Sequence, residues 1–287
     1  MPHLPPQLLS LALNLLRLCL WLVLLAAIFL PVEKLWGLQA QKVFRKAFGT
    51  DLVYYFLSGL LPKLLLLVPL ALISAAVHRL VPGGYYDWVG TLPVALRLIA
   101  ALVVSEVGTY WAHRWSHELP LLWRFHAIHH SAEEMDWLVN TRAHPVDLFF
   151  TRLCGLAPLY LLGVAQPTAG SVDFVPVMVT LIGTFWGFFI HANVKWRFGW
   201  LEGLVSSPAF HHWHHTNDSA EVLNKNYAAM LPWVDYCFGT FYLPRQQFPG
   251  KYGVDEPIAE GLAGQLLDPF TPSVPEARIE QAHSTMS

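Results

Sequence analysis

Five long apolar runs constrain the fold of this 287-residue chain more than any other feature. A helix needs about 20 apolar residues to cross a bilayer. A soluble core made of five such runs would leave almost no polar surface to cover it, so the runs favour an integral membrane protein. Charged residues make up 13% of the chain, against about 25% in an ordinary soluble domain. The runs cover 8–30, 52–77, 93–112, 146–165 and 172–190.

The first two runs leave the number of crossings at four to five. Lys63 follows Pro62 near the middle of the second run, which could therefore be a hairpin of two half-helices, and Arg17 interrupts the first run. The first run is longer than the apolar region of a signal peptide, and no small-residue cleavage site follows Pro31. We therefore expect it to be a membrane anchor.

The charges of the loops predict the orientation. The loop after the second run carries only Arg79 and the loop 166–171 carries no basic residue, whereas the loop after the first run carries four. The positive-inside rule places that first loop in the cytoplasm. Counting crossings puts 113–145 and the chain after 190 on the same cytoplasmic face. The four basic residues are Lys34, Lys42, Arg45 and Lys46.

Charge and cysteine content disfavour several classes of protein. The net charge of −2 argues against nucleic acid as a partner. The three scattered cysteines, Cys19, Cys154 and Cys237, support neither a disulfide framework nor a cysteine metal site. We expect one membrane domain over 1–245, with its motifs within 105–244, followed by a polar, loosely ordered tail over 246–287.

Eleven of the 14 histidines lie between His113 and His215. They form one H-x3-H and two H-x2-HH patterns. On a helix, positions 0, 3 and 4 fall within an arc of about 100°, so each pattern is predicted to aim its imidazoles at one point. His212 lies about 160° from His214 and is expected to be a bystander. The patterned residues are His113 and His117, then His126, His129 and His130, then His211, His214 and His215.

Two further histidines could join the site. His191 ends the fifth run, where an ionisable side chain that faces the bundle is costly without a partner. His144 precedes Pro145, and a proline at the first helical position, with Asp147 two residues later, marks a helix start. His144 is therefore either a ligand or a capping residue, and both interpretations stay open.

The number of histidines favours two metal ions. One zinc ion takes four ligands, or three in a catalytic site, and this chain offers eight patterned histidines and two more candidates. Imidazoles without thiolates suit iron, copper or zinc. A zinc protease is disfavoured because "HELPL" at 117–121 is not H-E-x-x-H. We predict an all-α integral membrane protein with four to five transmembrane helices and a cytoplasm-facing helical cap that holds the metal site.

Two stretches resemble the fatty acid hydroxylase superfamily, particularly its sterol desaturase branch. They are "YWAHRWSHELPLLWRFHAIHHSAEEMDWLVNTRAHPVD" (110–147) and "SSPAFHHWHHTNDSAEVLNKNYAAMLPWVDYCFGTFYLP" (206–244). Two details depart from the family pattern: Asn-Tyr-Gly reads "NYA" at 226–228, and the Trp-Asp pair before Phe-Gly-Thr is interrupted by Val234. Neither departure touches a predicted ligand.

The resemblance implies a di-iron centre that uses O2 and external electrons on a lipid C–H bond. It implies that the eight patterned histidines are iron ligands, that His191 is the isolated histidine after the last span, and that His144 belongs to the H-P-x-D/E element. The chain shows neither a dinucleotide-binding fingerprint nor a haem motif. We therefore expect an external donor of the cytochrome b5 or ferredoxin/reductase type, in a bacterial inner membrane or the endoplasmic reticulum.

Glu106 is predicted to orient an imidazole, because it lies seven residues before His113 at an offset of about 20° on a helix. A glutamate that only packs helices, bonded to Ser or Tyr, is an equally weighted alternative. Other polar residues that could orient imidazoles or a lipid head group are Asp136, Asn140, Arg142, Asn193, Asn217 and Asp218. Aromatic residues that could wall an apolar channel are Trp137, Phe185, Trp186, Phe188 and Phe189.

We predict an oxygenase that hydroxylates, or alternatively desaturates, a sterol, a fatty acyl chain or another isoprenoid or alkyl lipid. A metal transporter or sensor would instead line a path through the bilayer with ligands, whereas these motifs gather at one face. A zinc lipid hydrolase would need one ion, and most of the histidines would then bind no metal.

Overall fold

The computed structural model describes residues 5–164 and 174–271, and regular structure within these ranges is helical. Four of the described helices are long and apolar enough to cross a membrane, in agreement with the predicted four to five. They are α1 (Pro6–Trp36), α2 (Phe48–Leu80), α4 (Val94–Glu118) and α7 (Phe174–His191). The shorter helices are α3 (Gly83–Thr91), α5 (Pro120–His130), α6 (Pro145–Leu161), α8 (Pro208–His214), α9 (Trp233–Phe238) and α10 (Gly261–Leu267).

Two of the apolar runs differ from their predicted form. The run at 146–165 forms α6, which has 17 residues and is not one of the four candidate spans. The run at 52–77 is part of α2, a single helix of 33 residues with Pro62 and Pro69 inside it, and not a hairpin. Residues 165 and 172–173, at the ends of predicted runs, lie outside the described residues.

Helices α4 and α6 are in close contact because glycines lie at their interface. A Cβ atom added to Gly108 would collide with the carbonyl group of Cys154, and one added to Gly155 would lie 2.5 Å from Thr109 Oγ1. Small residues let helix backbones approach closely in membranes. The contact sets the histidine end of α4 beside the first turn of α6.

The cap is built from the short elements that follow the histidine ends of α4 and α7. Leu119, in an extended conformation, separates α4 from α5, and Pro120 begins α5. The α8 helix begins after Ser207, whose side chain accepts a hydrogen bond from Phe210 N at 3.3 Å, as a helix N-cap does. The histidine motifs therefore meet at one end of the bundle.

Residues 246–271 pack on this cap, which differs from the loosely ordered tail predicted from residue 246. The ring of Phe270 lies 5.4 Å from that of Phe125, centroid to centroid, and Tyr252 is 5% exposed. These aromatic residues are isolated in the sequence, so the composition of the segment does not signal their burial. Residues 272–287 of the predicted tail lie outside the described residues.

Candidate metal centre

Within the described part of the chain, nine histidines form two adjacent clusters at the cap end of the bundle. In each cluster the candidate ligand atoms, one per residue, all lie within 4.8 Å of one another. The clusters touch, because the rings of His130 and His215 stack with their centroids 4.3 Å apart. The five-histidine cluster consists of His113, His117, His126, His130 and His214, and the four-histidine cluster of His129, His191, His211 and His215.

Each H-x2-HH pattern contributes to both clusters, so the prediction that each pattern aims at one point was wrong. In α5, His126 and His130 join the five-histidine cluster and His129 joins the other. The second pattern reverses the assignment, because its central residue His214 is the one that enters the five-histidine cluster. Residues four apart on a helix differ by about 40°, while the residue at i+3 is displaced by about 60° to the opposite side. That displacement is enough to reach the neighbouring cluster.

The Nε2 atoms point into the clusters. In the five-histidine cluster, Nε2 of His113 lies 3.1 Å from Nε2 of His126, and His117 Nε2 is buried without a hydrogen-bond partner among the described residues. A buried nitrogen in that state calls for an explanation, and a bound metal ion provides one. The other Nε2 to Nε2 distances are 3.1 Å for His214 to His130, 3.1 Å for His211 to His191, 3.1 Å for His215 to His211, 3.2 Å for His215 to His191 and 3.3 Å for His191 to His129.

The opposite ring nitrogen, Nδ1, has a hydrogen-bond partner outside the clusters in six of the nine histidines, whereas Nδ1 of His211 is buried without one among the described residues. His126 Nδ1 lies 3.1 Å from Asp147 Oδ2, an arrangement of carboxylate and imidazole that is typical of metal sites. An acceptor at Nδ1 keeps the proton there and leaves the Nε2 lone pair facing the cluster. Backbone carbonyls accept from Nδ1 of four more histidines, namely Tyr227 O for His113 (2.7 Å), Arg142 O for His129 (2.9 Å), Gly187 O for His191 (2.7 Å) and Lys225 O for His214 (2.8 Å).

This donor set fits a pair of transition-metal ions. Burial, and then the neighbouring imidazoles, lower the pKa of His130 and His214 well below the usual histidine value, and lower the pKa of His129 to about 3. The rings are therefore neutral, as metal ligands must be. Groups of five and four imidazoles exceed what a single ion takes, and imidazoles without thiolates suit iron, copper or zinc.

His144 lies in neither cluster. Its Nδ1 accepts a hydrogen bond from Val146 N at 3.1 Å, and its Nε2 lies 3.2 Å from Leu266 O. With Nδ1 accepting, the ring proton is on Nε2 and is donated to that carbonyl, so neither nitrogen keeps a lone pair for a metal. Of the two interpretations left open by the sequence, the geometry favours the capping residue.

Glu106 supports a loop and, among the described residues, forms no hydrogen bond with a histidine. Its Oε1 accepts hydrogen bonds from Met230 N at 2.6 Å and from Leu231 N at 3.1 Å. The same loop presents the carbonyl of Tyr227 to His113. Glu106 therefore acts on the imidazole of His113 only through this loop. The alternative, a glutamate that packs helices, expected Ser or Tyr as its partners, but the partners are backbone amides.

Asp235 holds the "NYA" stretch, a role that the sequence analysis missed. Its carboxylate accepts from Tyr227 N (2.8 Å), Ala228 N (2.9 Å) and Thr240 Oγ1 (2.7 Å). Burial raises the pKa of Asp235 to about 6. The two segments that depart from the family pattern are thus in contact, and together they leave the carbonyl of Tyr227 free to accept from His113.

A buried ion network supports the four-histidine cluster, and the sequence analysis missed its centre, Asp51. The Asp51 carboxylate accepts from Arg142 at 2.6 and 2.9 Å and lies 2.6 Å from Arg45. Arg45 also donates two hydrogen bonds of 2.7 Å to Asp136. Because the carbonyl of Arg142 accepts from His129, the network fixes a ligand. The available signal was a lone acidic residue beside the second apolar run, where a charge is costly without a partner.

The predicted bystander, His212, is outside both clusters but is fully bonded. Its Nδ1 lies 2.8 Å from the Tyr252 hydroxyl and its Nε2 lies 3.0 Å from Ala192 O. The side chain is fully buried. Since Ala192 directly follows His191, His212 fixes the segment that leaves α7, and its replacement should cost more than the mild effect expected of a bystander.

The other predicted polar and aromatic residues have mixed roles. Asn193 exchanges two hydrogen bonds with the backbone of Gln39, at 3.0 and 2.8 Å. Trp137 packs between Phe29 and Phe188, with ring centroids 6.0 and 5.9 Å away. Two further polar residues sit in the cap, where Asn217 donates to Asp255 and Asp218 accepts from the backbone of Gly250 and Lys251.

Apolar helices that end in a buried, all-imidazole candidate metal centre define a histidine-rich membrane metalloprotein. The model of the fatty acid hydroxylase family matches residues 98–240, which contain all nine clustered histidines. The chain belongs to the fatty acid hydroxylase superfamily.

Relatives of this chain carry the names of lipid-modifying enzymes. It is 36% identical over 204 residues to an ornithine lipid hydroxylase of Rhizobium tropici, a match that covers 71% of this chain and 59% of that protein. It is 31% identical to the human alkylglycerol monooxygenase, over 55% of this chain and 33% of the relative. A Delta(7)-sterol 5(6)-desaturase of Gibberella zeae is 28% identical, over 64% and 53%. The chain thus spans 59% or less of these relatives. No solved structure matches it significantly.

Proposed function

We propose that this protein is a membrane di-iron oxygenase that hydroxylates a C–H bond of a lipid. The observation that carries the proposal is the pair of interleaved imidazole clusters at the ends of membrane helices. The eight patterned histidines and His191 would hold the two ions, and His144 is left out because both of its nitrogens are engaged. Hydroxylation is preferred over desaturation because the lipid hydroxylase relative is 36% identical and the desaturase 28%.

Iron ions bound in these clusters would supply the activation of O2 that breaking an alkyl C–H bond requires. In the net reaction one oxygen atom enters the C–H bond and the other leaves as water, with two electrons and two protons from an external donor. The residues of the chain position the ligands, since Asp147 and the backbone carbonyls hold the Nδ1 protons. Burial of the imidazoles, with His211 and His214 each 3% exposed, keeps bulk water away from the reacting centre.

The position of the clusters supports a lipid that enters sideways from the bilayer. The histidines His113 and His191 belong to α4 and α7, two of the spanning helices. An apolar layer that includes Trp137 and Phe188 lies against α7 on the way to the centre. The names of the relatives suggest three candidate substrates, which we define as the lipid panel: an ornithine lipid, a 1-O-alkylglycerol and a Delta(7)-sterol.

We further propose that the metal centre faces the cytoplasm of a bacterium, or the cytoplasmic side of the endoplasmic reticulum. The basic residues Lys34 and Lys42, near the cap end of α1, support this orientation through the positive-inside rule. Electrons would come from a soluble or membrane donor of the ferredoxin/reductase or cytochrome b5 type.

The test combines product and metal analysis. Purified protein in nanodiscs is incubated with the lipid panel, ferredoxin, its reductase and NADPH, under air and under nitrogen, and metal per chain is measured by elemental analysis. We expect a lipid that is one oxygen atom heavier, formed only under air, and two iron ions per chain. A single zinc ion with O2-independent release of an acyl chain would replace the proposal by a lipid hydrolase, and reversible metal uptake without product would indicate a transporter.

A further inference from the structure

Asn140 presents an amide group to the last turns of α7 without a partner of its own. A Cβ atom added to Gly187 would lie 2.5 Å from Asn140 Oδ1, so glycine at this position leaves the room that the amide occupies. Among the described residues, neither the oxygen nor the nitrogen of this amide has a hydrogen-bond partner, and the side chain is half-buried.

The position of the amide relates it directly to the four-histidine cluster. The carbonyl of Gly187, the residue that Asn140 touches, accepts from His191 Nδ1 at 2.7 Å. Gly187 precedes His191 by one helical turn, which places it about 6 Å further into the bundle, on the membrane side of the cluster. Two residues after Asn140, the carbonyl of Arg142 accepts from His129. The amide therefore lies within about one helical turn of a histidine of the four-histidine cluster, on its membrane side.

Other asparagines near the centre show what a purely structural amide does here. Asn193 exchanges two hydrogen bonds with Gln39. Asn226 donates to Phe210 O and Tyr242 O and accepts from Tyr242 N. The amide of Asn140 makes none of these contacts, and because its atoms are not fully buried it remains accessible to a bound molecule.

We propose that Asn140 is a specificity-determining residue whose Nδ2 donates a hydrogen bond to an oxygen in the polar linkage of the lipid substrate. The contact fixes how far the chain of the lipid reaches toward the metal centre, and hence which carbon is hydroxylated. Ester, amide, ether and hydroxyl oxygens all accept such a bond, and each member of the lipid panel has at least one of them. The inference rests on the proposed function.

The test replaces Asn140 by leucine, which keeps the branched shape and removes the hydrogen bond. The matched control is Asn14→Leu, because Asn14 lies in α1 and bonds to Ser10 O and Lys63. Bound lipid per chain is measured by native mass spectrometry with the lipid panel, together with iron per chain, kcat/KM and the position of the new hydroxyl group. For Asn140→Leu we expect unchanged iron, a loss of about tenfold in lipid retention and in kcat/KM, and hydroxylation at several carbons. The control should retain wild-type values.

The measurements of lipid retention, product and iron test the role of Asn140 separately from the proposed oxygenase activity. Equal lipid retention by Asn140→Leu and the wild type would overturn the inference whatever the activity. A wild type that binds lipid but forms no product, with binding lost in Asn140→Leu, would overturn the oxygenase and leave the lipid contact in place. Loss of iron in Asn140→Leu would show that the amide supports His191, and would also overturn the inference. If leucine disturbs the packing against Gly187, Asn140→Ala removes the amide without adding bulk and decides the question in the same way.

Discussion

The two histidine clusters use the same kind of ligand but are held by different parts of the chain. The five-histidine cluster depends on the loop between α8 and α9, through the carbonyls of Tyr227 and Lys225. The four-histidine cluster depends on the backbone of α7 at Gly187 and on Arg142, which the buried Asp51 of α2 fixes by two hydrogen bonds. A hydrogen-bonded loop thus positions the ligands of the five-histidine cluster, and a buried ion network positions a ligand of the four-histidine cluster. Substitutions should therefore weaken the two clusters separately.

The largest effect is expected from removal of a ligand, His214→Ala. Although its neighbours in the motif serve the four-histidine cluster, His214 serves the other, so the variant should lose iron from the five-histidine cluster first. Activity should fall by more than about 100-fold, since the loss of a residue that only supports a ligand already costs about 10–100-fold. Iron per chain and product formation are the measurements. The matched control is His78→Ala, an exposed histidine of α2. Wild-type iron content in His214→Ala would refute its assignment as a ligand.

A smaller effect is expected from Asp51→Asn, which weakens the support of the four-histidine cluster. The variant leaves two buried guanidinium groups, those of Arg45 and Arg142, with the single carboxylate of Asp136. Breaking a buried ion pair costs about 3–5 kcal/mol, so both Tm and the iron content should fall. Thermal unfolding in nanodiscs and iron per chain are the measurements. The control, Asp255→Asn, changes an exposed ion pair with Lys251 and should leave Tm unchanged. An unaltered Tm in Asp51→Asn would mean that the network is not needed to hold Arg142.

The apolar runs and the histidine spacings predicted much of this structure because both are local features. The length and composition of a run set whether a helix can cross the bilayer. The contact between Asp51 and Arg142 joins residues 91 apart, and no local pattern encodes such a pairing. The division of the histidines between two clusters depends on how α5 and the 211–215 motif face each other. Imidazoles spread over an arc of about 100° on a helix can face one metal site or two.

A still smaller loss of iron is expected for Asp147→Asn. Asp147 contacts the five-histidine cluster only through Nδ1 of His126, the ring nitrogen that faces away from the cluster. The amide oxygen of asparagine can still accept from His126 Nδ1, but without the negative charge that raises the basicity of the imidazole. We expect iron affinity to fall about tenfold, the lower end of the range for residues that support a ligand. Titration of the apoprotein with Fe²⁺ measures it. A fall in the iron affinity of the four-histidine cluster alone would contradict the separate support of the two clusters.

The smallest effect on the metal centre is expected for His144, and the pair of variants His144→Ala and His144→Asn separates its two possible roles. Alanine removes the acceptor for Val146 N at the start of α6, which should cost about 1 kcal/mol, whereas asparagine is a good N-cap and should restore most of that stability. Both variants should keep two iron ions per chain, because neither ring nitrogen of His144 is free to bind one. If asparagine restored the stability but not the iron, His144 would be a ligand after all, and a tenth histidine would have to be added to the nine.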